Sequence, residues 1–109
     1  MRVGYVVLYV NDVDACTKFW TEKFDMVARE TMQVGANTIV RVGFADQNFS
    51  LELVPLSMMK DNPDGLDLAT PSMCFYAQEI QSEHHKLKSG RSDGNCRSFW
   101  QHEFCLCRQ

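Results

Sequence analysis

Residues 3–26 read VGYVVLYVNDVDACTKFWTEKFDM, and this stretch decides the fold. Its first eight residues form an almost unbroken apolar run, which predicts a strand covered on both faces. Asn11 and Asp12 then break the run and can cap a helix, and Asp14 adds negative charge to the first helical turn. Apolar side chains next recur at the three- and four-residue spacing of an amphipathic helix. They are Val13, Cys16, Phe19, Trp20 and Phe24.

Three further strands are predicted downstream of this helix. The segment 26–34 is a strand, 35–37 is a hairpin turn that contains Gly35, and 38–44 is the next strand. In 49–53 apolar and polar residues alternate, so Glu52 lies on the face opposite Leu51 and Leu53. The first half of the chain therefore has the order β-α-β-β-β.

A second strand and helix follow a linker rich in turn residues. Residues 72–77 are mostly apolar, and 79–89 show helical spacing that ends at Gly90. Only nineteen residues remain after Gly90, too few for three strands and two turns. Either 96–100 is the last strand, or it is a middle strand and 103–107 is the last. We favour the second interpretation, because 104–106 are apolar.

Composition limits the class of protein. The chain has 109 residues, a hydrophobic fraction of 45% and a net charge of −3. These values predict one globular domain, 1–109, and its dispersed basic residues give no footprint for nucleic acid. No apolar run is long enough for a membrane span, and the N-terminus has no signal-peptide pattern. We expect a cytoplasmic protein whose five cysteines are mostly reduced.

The pattern Val10-Asn11-Asp12-Val13 followed by 19–24, FWTEKF, resembles the opening of the vicinal-oxygen-chelate superfamily, which includes glyoxalase I, bleomycin-resistance proteins and extradiol dioxygenases. The resemblance implies an α+β fold in which paired βαβββ modules form a cupped mixed sheet with helices on its outer face. The modules would be 1–55 and an abridged 72–109, joined by the linker 56–71. The family usually has Gly at the corner after the helix, where this chain has Asp25. An abridged half would leave a sheet edge open, so we expect a homodimer.

The resemblance also indicates where a metal would bind. The ligand positions of the metal-dependent glyoxalases match Tyr5, Glu52, Ser72 and Cys107, or Ser98 on the alternative strand assignment. Only Glu52 is a good ligand at neutral pH, because a phenol and an unactivated hydroxyl stay protonated. One carboxylate does not retain a divalent ion. The sequence therefore predicts no metal and no cofactor.

The same resemblance places the cavity on the face of the first strand that carries Tyr5. The predicted ligand-binding residues are Tyr5, Val7, Tyr9, Arg41, Glu52, Cys74 and Tyr76. Aromatic walls and one carboxylate suit an apolar or cationic organic ligand. Glu52 is the only catalytic candidate, as a general base, but pairing with Arg41 on the neighbouring strand is the preferred interpretation.

Three functions remain open. The first is metal-free binding of a small organic molecule, as in resistance or sequestration proteins. The second is a metal-dependent lyase or isomerase of glyoxalase type, with ligands such as His102 or a residue of a partner chain. The third is a degenerate member of the superfamily that serves as an interaction module. Whether the protein is an enzyme is not decided by its sequence, because one fold hosts many chemistries.

Overall fold

The computed structural model describes residues 1–69, 71, 73–77 and 104–108, with the last segment and Ala77 described by their backbone alone. The elements lie in the order strand, helix, strand, strand, strand, short 3-10 helix, strand, strand. Their bounds are β1 Tyr5–Val10, α1 Val13–Lys23, β2 Val27–Val34, β3 Asn37–Gly43, β4 Ser50–Pro55, the 3-10 helix Leu56–Met59, β5 Met73–Ala77 and β6 Phe104–Arg108.

The first four strands form one mixed sheet with the order β1-β4-β3-β2. β1 and β4 are parallel, whereas β4 with β3 and β3 with β2 are antiparallel. The predicted β-α-β-β-β order and the α+β class are confirmed, and strand ends differ from the predicted ones by one or two residues. Gly35 adopts a φ of +63° in the predicted hairpin turn, which is the conformation that glycine enters without steric cost.

The hydrophobic core lies between α1 and one face of this sheet. The predicted helical stripe is the buried side of α1, and Trp20 is fully buried. Its ring centroid lies 4.7 Å from that of Phe24 and 5.2 Å from that of Phe19. Strand residues on the α1 side complete the cluster because alternate side chains point to the same face. They are Leu8, Val10, Val40, Val42, Leu51 and Leu53.

Both ends of α1 follow the local signals in the sequence. The Asp12 side chain accepts a hydrogen bond from the Ala15 backbone N–H at 3.1 Å, so Asp12 is the N-cap. After the helix, Asp25 has a φ of +58°, which is the left-handed conformation that glycine adopts most readily. The corner at which the resemblance leads one to expect glycine is therefore made by a residue that has a Cβ.

The second half contributes a two-stranded parallel sheet of β5 and β6. Phe75 on β5 packs against the core, with its ring centroid 4.8 Å from that of Phe24. The presence of β6 at Phe104–Arg108 agrees with the favoured assignment of the last strand. The predicted helix 79–89 and the strand 96–100 lie outside the described residues. The module boundaries and the abridged second module stay predictions.

Cys16 is disulfide-bonded, and the expectation that most of the five cysteines are reduced stays a prediction. The place of Cys16 on the buried side of α1 was predicted correctly, but burial by itself does not distinguish a core thiol from a cross-linked one. A membrane span is not seen either: within the described part of the chain, no helix combines the length and the hydropathy that crossing a bilayer requires.

Candidate functional site

The candidate site lies on the distal face, by which we mean the face of the four-stranded sheet that is turned away from α1. Strand alternation and the register between neighbouring strands place side chains from all four strands on this face. They include Tyr5, Val7 and Tyr9 of β1, Ser50, Glu52 and Val54 of β4, Ile39 and Arg41 of β3, and Glu30 of β2. The sequence-based division of β1 agrees with the burial pattern, since Leu8 and Val10 are in the core whereas Tyr5 is 44% exposed.

Arg41 is at the centre of a bonded cluster on the distal face. Its Nε donates to Glu52 Oε2 at 2.7 Å, and its Nη1 donates to Glu30 Oε2 at 2.9 Å. Its Cζ also lies 4.0 Å from the centroid of the Tyr5 ring, which is a cation–π contact. The preferred pairing of Arg41 with Glu52 is thereby confirmed. We call these four residues the Arg41 cluster.

The electrostatics of the Arg41 cluster hold the guanidinium in its charged form. The hydrogen bond to Glu52 raises the pKa of Arg41 above its ordinary value, and the negative charges of Glu52 and Glu30 raise it further, while burial lowers it. The Glu52 side chain is 11% exposed and that of Arg41 is 26% exposed. Charge-assisted hydrogen bonds of this kind are stronger than neutral ones, so the cluster has a defined geometry.

Glu30 was missed in the sequence, although a signal for it existed. The hairpin pairs Val34 with Asn37 around a two-residue turn, and counting back along both strands brings Glu30 opposite Arg41. The predicted turn has three residues, 35–37, and a turn of that length leaves the register of the hairpin open. A two-residue Gly-containing loop would have fixed it.

Arg29 was also missed, and no local signal predicts its position. The β2–β3 register shifts between Ala28 and Glu30, so Arg29 is the extra residue of a β-bulge. Its guanidinium donates to Ser50 Oγ at 3.4 Å and to the backbone carbonyls of Phe44 and Gln47. Arg29 thereby ties the bulge in β2 to the turn between β3 and β4, one strand away.

Gly43 leaves the space in which Arg29 crosses β3. A Cβ added at Gly43 would lie 2.7 Å from the Phe49 carbonyl oxygen and 3.1 Å from Arg29 Nε. A glycine within a strand commonly marks a bulge or a close approach of another group, and here it coincides with both. The bulge, Gly43 and Arg29 form one structural unit beside the Arg41 cluster.

The remaining predicted ligand-binding residues fall into two groups. Val7 lies opposite Glu52 in the parallel register, and Tyr9 lies two residues further along the same strand, so both border the Arg41 cluster. Cys74 and Tyr76 lie on β5 in the other sheet, where Tyr76 is 70% exposed. Their participation in a common site stays a prediction.

The residues of the predicted metal positions do not fit a metal ion in the part that the structure describes. Glu52 Oε2 is bonded to Arg41, so a cation would have to displace a guanidinium from it. Among the described residues, no three His, Cys, Asp or Glu side chains lie close enough together to hold a metal. Ser72, Ser98 and the Cys107 side chain lie outside the described residues.

A helix packed on a β1-β4-β3-β2 sheet, with a polar cluster on the distal face, defines a small α+β domain built on a βαβββ module. Residues 2–94 match the family model of the Glyoxalase/Bleomycin resistance protein/Dioxygenase superfamily. The chain belongs to this superfamily, and the resemblance seen in its first helix is confirmed. A search of curated proteins found no match.

Solved structures of the same fold are similar to this chain at low sequence identity. A superfamily member from Sphaerobacter thermophilus has a TM-score of 0.64 and 15% identity, and the match covers 82% of this chain and 70% of that one. The antibiotic-binding protein TnmS3 from Streptomyces sp. CB03234 has a TM-score of 0.62 and 12% identity, with coverage of 82% and 69%. The trypanothione-dependent glyoxalase I of Leishmania major has a TM-score of 0.60 and 17% identity, with coverage of 82% and 66%.

Proposed function

We propose that this protein binds a small organic molecule on its distal face without a metal ion, in the manner of a resistance or sequestration protein. The observation that carries the proposal is the Arg41 cluster, in which the carboxylate that the family would give to a metal is bonded to a guanidinium instead. One of the similar structures is that of an antibiotic-binding protein, which supports a binding role for a superfamily member.

The surroundings of the cluster suit an organic ligand. Val7 and Tyr9 are half-buried and Tyr5 is exposed. Glu52 lies opposite Val7, and Arg41 contacts both Glu52 and the Tyr5 ring. Sites for small molecules combine mostly apolar walls with a few oriented polar groups, and the distal face has both. Cys74 and Tyr76 are included in the proposed site as the contribution of the second sheet.

A homodimer is part of this proposal. β1 and β2 are the outer strands of the four-stranded sheet, and each presents backbone groups that another strand could pair with. Sedimentation velocity tests this point, and a single monomeric species at tens of micromolar would contradict it. A cytoplasmic location also stays a prediction.

A thermal-shift screen of aromatic compounds against the purified protein tests the binding function. A ligand that binds only the folded state stabilises it and so raises the melting temperature. At a free ligand concentration of 100 times the dissociation constant, the stabilisation is about 2.7 kcal/mol. Absence of any shift across a broad library would favour an interaction module instead. One equivalent of Ni, Zn, Mn or Fe in the protein as purified would contradict the metal-free part and favour a glyoxalase-type lyase.

Two matched variants locate the bound molecule. Val7→Trp places a large ring opposite Glu52, on the distal face, and should abolish the ligand-induced shift. Lys18→Trp places the same ring on an exposed position of α1, on the other side of the sheet, and should leave the shift unchanged. If both variants lose the ligand-induced shift, or if both keep it, the ligand binds elsewhere.

A further inference from the structure

The Arg41 guanidinium occupies the two groups that would otherwise attract a cationic ligand. The ring of Tyr5 has the face that a cation seeks, and Arg41 Cζ lies 4.0 Å from its centroid. The carboxylate of Glu52 would be the counter-ion, and Arg41 Nε lies 2.7 Å from it. A ligand cation would therefore have to displace a guanidinium that is held by both groups.

An anionic ligand meets a different obstacle. Glu30 and Glu52 both bond to Arg41, so two carboxylates face one guanidinium and leave an excess of negative charge around it. The second cation nearby, Arg29, donates to Ser50 Oγ and to two backbone carbonyls. A ligand carboxylate placed against Arg41 would therefore lie close to like charges, which disfavours its ionised form.

Donor capacity remains on Arg41 for a neutral acceptor. A guanidinium has five N–H donors. Within the described residues, Nε donates one hydrogen bond, to Glu52, and Nη1 donates one, to Glu30. Nη2 donates none to these residues. The side chain is 26% exposed, so these N–H groups can reach a ligand. A carbonyl or phenol oxygen accepts from them without adding a charge.

From this arrangement we infer that Arg41 is a built-in cation that makes the distal face selective for neutral aromatic molecules with oxygen acceptors, and that its removal creates a site for aromatic cations. The inference rests on the proposed binding function and specifies its ligand class. Arg41 is thus a specificity-determining residue. Tyr5 and Glu52 are the groups that it shields from ligand cations.

Three probes of one ring system test the inference by isothermal titration: 2-acetylnaphthalene, a trimethylammonium naphthalene and 2-naphthoate. The wild-type protein should bind the acetyl compound more tightly than either ion. In Arg41→Gln, where the amide can still donate to Glu52, affinity for the ammonium probe should rise about tenfold, the magnitude of one partly desolvated cation–π contact.

Two control variants separate the cation site from a simple change in net charge. Arg41→Lys keeps an internal cation and should show no gain for the ammonium probe. Adding Tyr5→Leu to Arg41→Gln removes the ring but keeps the negative charge, and should abolish most of the gain. Circular dichroism melts establish that each variant is folded, and the wild-type preference tests the inference even where a variant does not fold.

Each outcome decides a different point. Binding of the ammonium probe to wild type as tightly as the acetyl compound would overturn the inference while supporting the proposed function. Binding of no probe to wild type, with ammonium binding by Arg41→Gln, would support the role of Arg41 and contradict a binding function for these ligands. Absence of binding by wild type and Arg41→Gln alike would overturn both.

Discussion

Gly43→Ala is the substitution that most directly tests how the distal face is built. The new Cβ would lie 2.7 Å from the Phe49 carbonyl oxygen, closer than such atoms approach in folded proteins. It would also lie 3.1 Å from Arg29 Nε, but the end of a long side chain can move whereas a backbone carbonyl in a turn cannot do so alone. We therefore expect the turn before β4 to shift.

The expected cost follows from the cost of overpacking, about 1–3 kcal/mol for a forced backbone shift. Replacing Gly by Ala also restricts the unfolded chain, which stabilises a protein by about 0.4–1 kcal/mol where the native conformation permits. Gly4→Ala is the matched control, because a Cβ at Gly4 has nothing within 4 Å. The difference between the two variants cancels the unfolded-state contribution and leaves the clash.

Urea denaturation of wild type and both variants measures this difference. Gly43→Ala should be less stable than Gly4→Ala by about 1–3 kcal/mol. In a domain of about 100 residues, each kcal/mol of lost stability lowers Tm by about 4–8 °C. Adding Arg29→Ala to Gly43→Ala should recover little, since the backbone contact remains. Two glycine variants equal within about 0.5 kcal/mol would refute the close packing at Gly43.

Three further substitutions test the fold around the site. Asp12→Ala should lower the free energy of unfolding by about 0.5–2 kcal/mol because the Ala15 N–H loses its cap, while Asp14→Ala, whose side chain makes no hydrogen bond within the described part of the chain, should cost less. Leu53→Ala should cost about 2–5 kcal/mol by opening a cavity in the core, and Leu66→Ala, at a position 49% exposed, should be nearly neutral. Asp25→Ala should be less stable than Asp25→Gly by about 1–2 kcal/mol, since both lose the carboxylate but only alanine opposes a φ of +58°. Chemical denaturation measures all three, and a reversed order within any pair would contradict the stated cause.

Local chemistry in the sequence was sufficient for the first module. The apolar run of β1, the Asp12 cap and the helical spacing through Phe24 are short-range signals, because each depends on residues within one or two turns of chain. Alternation along β1 and β4 also separated the core face from the distal face, since the side-chain period of a strand does not depend on its partner. The cross-strand pairing of Arg41 with Glu52 followed from the same alternation and was found.

The tertiary structure alone decided how the distal face is finished. The bulge at Arg29 is a property of two strands together, and it lets the guanidinium reach carbonyls that lie 15 and 18 residues away. Sequence periodicity does not predict contacts between side chains and distant backbone groups, so the role of Arg29 could not be assigned from the sequence. The cation–π contact between Arg41 and the Tyr5 ring could not be predicted either. The sequence determined which groups the face presents, whereas their bonding to one another, which sets the ligand class that we infer, depended on strands brought together by folding.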